Sequence, residues 1–203
     1  MSVATISTWQ SDFKTSDPTK TFAEQAQEAA AGAMKAVGMT PDDIDAIVFS
    51  LAPTFFMGVA DADKWSVDYI FGAGKPMLRV HTGGATGGSA VHAAYALVES
   101  GMASSVLIVG AERIAETPDA QKVLNLIFDA FYERDMPLST NTTVALQLSR
   151  YLQMHNLTEE DMAQAAVRQR LQRDAQSTRS SQRRDHDRRR HEVKADRAAA
   201  EAV

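Results

Sequence analysis

The chain has 203 residues, 44% of them hydrophobic, which is enough for one sizeable core and excludes a wholly disordered chain. Its net charge of −5 argues against a generic nucleic-acid binder, and zero cysteines exclude disulfides, Cys-ligated zinc, iron–sulfur ligation and a cysteine nucleophile. The longest aliphatic stretch, VLIVGA (106–111), is too short for a membrane span, and MSVATISTWQSDF does not read as a signal peptide, so a cytoplasmic protein is expected.

In chain order, VATIS (3–7) reads as a short strand. Residues 19–38 read as a helix whose apolar face carries Phe22, Ala26, Ala29, Ala33 and Val37, with Gly38 as its stop. Thr40-Pro41-Asp42-Asp43 is a cap followed by proline, which predicts a single turn. IDAIVFSLA (44–52) reads as a buried strand, residues 62–74 as a short helix ending in glycines, and KPMLRVHT (75–82) as a third strand. Residues 83–101 read as a glycine-rich turn entering a helix with Ala90, Val91, Ala94, Leu97 and Val98 inward, and SSVLIVGAE (104–112) as a fourth strand. Strands alternating with helices imply parallel pairing: an α/β fold with an open, mostly parallel sheet and helices on both faces. Ligands are then expected beyond the strands' carboxyl ends, near Leu51, Thr82 and Gly110.

Residues 113–142 read as an insertion with its own helix over 120–134, its stripe formed by Val123, Leu124, Ile127, Phe128 and Phe131. A lid or subunit contact and a plain packed helix are the two readings of it. Residues 141–156 form a further amphipathic helix, and Thr158 with Asp161 caps another. From residue 168 onward the balance changes: 11 basic and 6 acidic residues, with no glycine, proline or aromatic residue. Such a segment buries too little surface to offset its conformational entropy, so a disordered or helical basic tail is expected over 171–203, after a domain spanning 1–170.

The segment with most chemical promise is RVHTGGATGGSAVHAAY (79–95). A strand runs through four glycines into a helix, whose first N–H groups and positive dipole end can seat an oxyanion, a carbonyl or a phosphate. The alternative is a tight turn packed on the sheet. The dinucleotide G-x-G-x-x-G spacing is not met, and no Lys-Ser or Lys-Thr follows the glycines as in a P-loop. His81 stands at the strand end, as a pocket lining or an exposed turn residue; His92 reads as packing or surface, and Asp129, Tyr132 and Glu133 as a solvated helix face.

Residues 3–170 resemble the N-terminal half of the thiolase superfamily, in particular the thiolases related to sterol-carrier and lipid-transfer proteins. TFAEQAQEAAAGAMKAVGMTPDDIDAIVFS is similar to the family's first helix and second strand. RVHTGGATGGSAVHAAYALVESGMASSVLIVGAERI is similar to its nucleophile loop, third helix and fourth strand, and NTTVALQLSRYLQMHNLTEEDMAQAAVRQR to its closing helix pair. The family carries N-x-x-C-A-S/T-G at this turn. Ala85-Thr86-Gly87 match its end, which puts Gly84 in the cysteine slot and His81 in the asparagine slot.

The resemblance implies an acyl-CoA-handling protein, with the coenzyme A thioester as substrate and no further cofactor or metal. Substrate contacts are implied at His81, Gly83, Gly84, Ala85, Thr86 and Gly87. Without the sulfur, acyl transfer through an acyl-enzyme is chemically closed. Cysteine-less relatives are associated with retro-aldol cleavage of acyl-CoA side chains beside an OB-fold partner, which needs an oxyanion seat and an acid/base group instead. The family's other catalytic groups lie in a second half, so the chain as written is expected to be truncated and weakly active or inactive. Its exposed apolar face is expected to drive homo-oligomerisation, as in a homodimer. A plus-one reading of codons compatible with the residues from Leu171 gives FNAMLNPRAQVNGEITIDDVMKSKLIAxPLKL, similar to what relatives carry after VRQR; a frameshift there is one origin of the basic tail. Two rivals are a non-catalytic binding or assembly module of the same fold and an NAD(P)-binding oxidoreductase using the same turn.

Overall fold

The computed structural model describes residues 2–12, 14, 16–51, 56, 58–59 and 61–174. They form two compact units: the residues through Val123 without Asp12 and Lys14, and those two with the residues from Leu124 onward.

In the first unit, Thr21 starts helix α1 (Phe22–Lys35) through a reciprocal box. The Thr21 hydroxyl accepts from the Glu24 N–H, and the Glu24 carboxylate accepts from the Thr21 N–H at 2.7 Å. A 3₁₀ turn (Pro41–Asp43) with the same Thr/Asp box follows. Strand β1 (Ala46–Ser50) is next, then α2 (Ala62–Ser66), β2 (Met77–Val80), α3 (Thr86–Glu99) and β3 (Val106–Gly110). The sheet is parallel throughout, in the order β2-β1-β3.

Central β1 reads IVF because it is covered on both faces, as parallel strands are. Ile47 and Phe49 pack with Leu107 and Val109 against Ala26, Ala30 and Met34 of α1. Val48 faces the other way, onto Ala90 and Ala94 of α3. The α/β class with helices on both faces is therefore the observed one. Lys75 and Asp45 tie the lower edge of the sheet. The ammonium donates to the Pro41 and Ile44 carbonyls, and the Asp45 carboxylate accepts from the Ser104 and Ser105 N–H groups.

Five expectations need correction. The helix expected over 62–74 is limited to α2 (Ala62–Ser66), and the residues after it form turns. VATIS forms no strand: Ser7 donates to the Ala33 carbonyl, and the Trp9 indole lies on Gly32, where a Cβ would come within 2.6 Å of the ring. This stretch therefore rides on α1 instead of joining a ladder. The buried face of α1 is Ala23, Ala26, Ala30 and Met34, rotated from the expected stripe, and Val37 is exposed beyond the helix end. On α3, Val91 is 54% exposed. The helix expected over 120–134 is only α4 (Ala120–Leu124) and a 3₁₀ turn (Asn125–Ile127). There the Asp129 carboxylate accepts from the Phe131 and Tyr132 N–H groups, a local turn that competes with helical bonding and leaves Phe131 90% exposed.

In the second unit, Ser139 and Thr142 cap α5 (Thr140–His155), which ends at Asn156 in the left-handed region. Thr158 and Asp161 exchange hydrogen bonds at the start of α6 (Glu159–Asp174), which runs past Arg170. The expected basic tail lies outside the described residues from 175 on. Among the described residues no helix is long and apolar enough to cross a membrane.

The capping carboxylates are expected to make the fold acid-sensitive. Glu24 and Asp43 are held below the usual carboxylate range, each first by the backbone N–H of its capping threonine and then by that threonine's hydroxyl. A carboxylate with a lowered folded pKa stabilises fully above its unfolded value, and that contribution is lost as pH falls through the folded one. The melting temperature is expected to drop as pH goes from about 5 to about 3. Glu24→Gln, which keeps the box without a titrating group, should make the drop shallower; an unchanged slope would assign the acid sensitivity elsewhere.

Candidate functional site

The glycine turn sits at the junction of β2 and α3. After Val80, His81 and Thr82 leave the sheet, Gly83–Ala85 makes a 3₁₀ turn, and α3 starts at Thr86. Gly83 has φ +62°, a conformation side chains rarely adopt, so glycine there is conformational. Gly84 is different. Its φ lies outside the left-handed region, it is exposed, and a Cβ built on it meets no atom of the described residues within 4 Å. Neither backbone nor packing demands glycine at that place. The same open space lies over Gly87 and Gly88.

Hydroxyls hold the turn together. The Thr82 N–H donates to Thr86 Oγ1 at 3.1 Å, Thr86 Oγ1 donates to the Gly83 carbonyl at 2.6 Å, and the Thr82 and Ser89 hydroxyls lie 2.7 Å apart. Ala85 at the helix start gives no side-chain cap, so the end of α3 is closed by no acceptor of its own cap residue. The hydroxyl contact between Thr82 and Ser89 escaped sequence reasoning. Their signal was two hydroxyl residues seven positions apart, bracketing the glycines. Of the expected contact residues, His81, Gly83, Gly84, Ala85, Thr86 and Gly87 all lie on this one turn. His92 is exposed on α3, and Asp129, Tyr132 and Glu133 belong to the second unit.

A cavity of about 680 Å³ lies elsewhere in the first unit, beyond the carboxyl ends of β1 and β3. None of the six turn residues lines it. Its walls include Phe22, Val59, Trp65 and Tyr69, and its polar side Arg113 and Glu116. All three Arg113 nitrogens donate: Nε to Glu116 at 2.6 Å, and the two terminal nitrogens to the Lys20 and Asp17 carbonyls and to Glu116. Hydrogen bonding from Arg113 keeps the Glu116 carboxyl below its ordinary value. Among the described residues no group of three or more metal-ligating side chains is placed to hold an ion.

Fold and turn together define an α/β protein that presents an uncovered glycine loop at a helix N-terminus, at the edge where parallel sheets seat their ligands. The family described as thiolase, N-terminal domain matches residues 3–185, and the chain belongs to that family. The match runs past Arg170. No curated protein matches the chain. Among solved structures it is similar to 3-oxoacyl-[acyl-carrier-protein] synthase III from Aquifex aeolicus VF5, at 21% identity and a TM-score of 0.42. That similarity covers 48% of this chain and 32% of the other, so this chain spans about a third of its length.

Proposed function

We propose that this is an acyl-CoA-handling protein of the thiolase family that works, if it catalyses, without an acyl-enzyme. The reading rests on Gly84: the resemblance puts it in the slot of the family's cysteine, and it lies exposed in the strand-to-helix turn, where a Cβ would meet no atom of the described residues within 4 Å. A thiolate attacks the thioester carbonyl and keeps the acyl group; a peptide backbone has no such nucleophile. What the turn retains is a helix N-terminus that favours negative charge on a thioester oxygen.

That suits retro-aldol cleavage. A base takes the side-chain hydroxyl proton, the carbon–carbon bond breaks, and the electron pair moves onto the thioester oxygen before carbon is reprotonated. Charge stabilisation and proton transfer suffice, with no covalent intermediate. His81, Gly83, Ala85, Thr86 and Gly87 are the proposed substrate contacts around Gly84. An OB-fold partner, a cytoplasmic setting, the sterol-carrier subgroup and a weakened or absent activity belong to the same proposal. So does a domain limit near Arg170, with a frameshift as the origin of the residues after it.

A second reading has its own support. On the α3 side of the sheet, Leu78 and Ile108 flank Val48 and remain exposed, as do Val91 and Tyr95 on α3. An uncovered apolar face of this kind suits a non-catalytic assembly module or a homo-oligomer. Nothing in the turn favours a dinucleotide, since its glycines follow edge strand β2 and not central β1. Titration separates the readings. Saturable binding of an acyl-CoA with no binding of NAD(P) is expected. Self-association without acyl-CoA binding would leave the assembly module.

A further inference from the structure

The cavity beyond β1 and β3 is a second candidate site, away from the glycine turn. Its volume, about 680 Å³, is in the range of small-molecule pockets. Its walls come from the start of α1, from Phe56, Gly58 and Val59 after β1, from α2 with the turns after it, and from the segment after β3. Its charged groups are spent on one another. All three Arg113 nitrogens have acceptors within the protein, and both Glu116 oxygens accept from Arg113. The Thr117 hydroxyl donates to the Phe56 carbonyl, and Thr21 is committed to the cap of α1. What remains for a ligand is apolar surface: Phe22, Val59, and the rings of Trp65 and Tyr69.

Trp65 is 73% exposed although it borders a cavity with room to receive a partner against it. A large aromatic side chain exposed to water beside an apolar concavity is the arrangement that ligand burial improves. Among the described residues lining the cavity, the charged side chains are Arg113 and Glu116, and they are paired with each other. We infer that this cavity binds an uncharged apolar small molecule, an aliphatic chain or aromatic ring, held by Trp65 and Tyr69. The inference does not rest on the acyl-CoA reading, because no turn residue takes part.

The test uses the full chain and N-phenyl-1-naphthylamine, an uncharged dye that brightens on leaving water. Saturable binding at one site is expected. Trp65→Ala and Tyr69→Ala should each weaken it about tenfold, a loss of about 1.4 kcal/mol. Both side chains are well exposed, so neither truncation should unfold the protein. Tyr95→Ser, on the open face of α3, should leave binding unchanged. Dodecanol should displace the dye far better than dodecanoate. Equal binding by Trp65→Ala, Tyr69→Ala and the parent, a loss with Tyr95→Ser, equal displacement by dodecanoate, or a non-saturable signal would each overturn the inference.

Discussion

Gly84→Cys is expected to fold normally and to carry a reactive thiol. The residue's φ suits any side chain, and a Cβ at that position touches none of the described residues within 4 Å. Replacing an unstrained glycine restricts the unfolded chain and tends to stabilise by about 0.4–1 kcal/mol. The new sulfur would stand just before the N-terminus of α3, where the helix dipole favours thiolate and lowers a thiol's pKa from about 8.5. The protein has no other cysteine, so alkylation by iodoacetamide as a function of pH reads this one group. Half-maximal reaction below pH 8 is expected, with a melting temperature unchanged or raised by a few degrees. A thiol that titrates like a free one, or a loss of stability above about 1 kcal/mol, would show that the turn is not built to hold a nucleophile.

Phe49→Ala is expected to remove most of the first unit's stability. Phe49 is fully buried on central β1 and packs edge-on to Phe22 of α1, with ring centroids 6.2 Å apart. Truncating such a ring costs about 3–5 kcal/mol through lost burial and the void left behind. Domains have only about 5–15 kcal/mol in total. Urea unfolding followed by circular dichroism should therefore show a large fall in midpoint, and a shift worth less than about 1 kcal/mol would mean that the strand is not the centre of the core.

The parts of this fold legible in sequence are those with unambiguous local signals. The run IVF gave β1 as a strand buried on both faces, and Thr40-Pro41 marked its turn. The existence of α1 was clear, but its inward face was not. Alanines at 23, 26, 29, 30, 31 and 33 lie all round the helix, and Met34 and the packing of the sheet decide which of them turn inward. The stripe at 120–134 misled because Asp129 bonds its own downstream N–H groups, a choice that apolar spacing does not reveal. VATIS has strand-like residues, but its hydrogen bond goes to a helix carbonyl.

The candidate site divides in the same way. The glycine turn is contiguous and could be placed from sequence alone, down to its position between β2 and α3. The hydroxyl contact of Thr82 with Ser89 depends on the first turn of α3 closing back on the strand end. The cavity was not legible at all. Phe22, Val59, Trp65, Tyr69 and Arg113 are scattered over more than ninety positions, and only the crossover connections bring them together.

The most direct measurement is the intact mass of the protein after incubation with an acyl-CoA, taken under denaturing conditions. Reversible binding with no change of mass is expected, because residue 84 offers no nucleophile. A stable acyl adduct, mapped by digestion to residues 79–95, would contradict it.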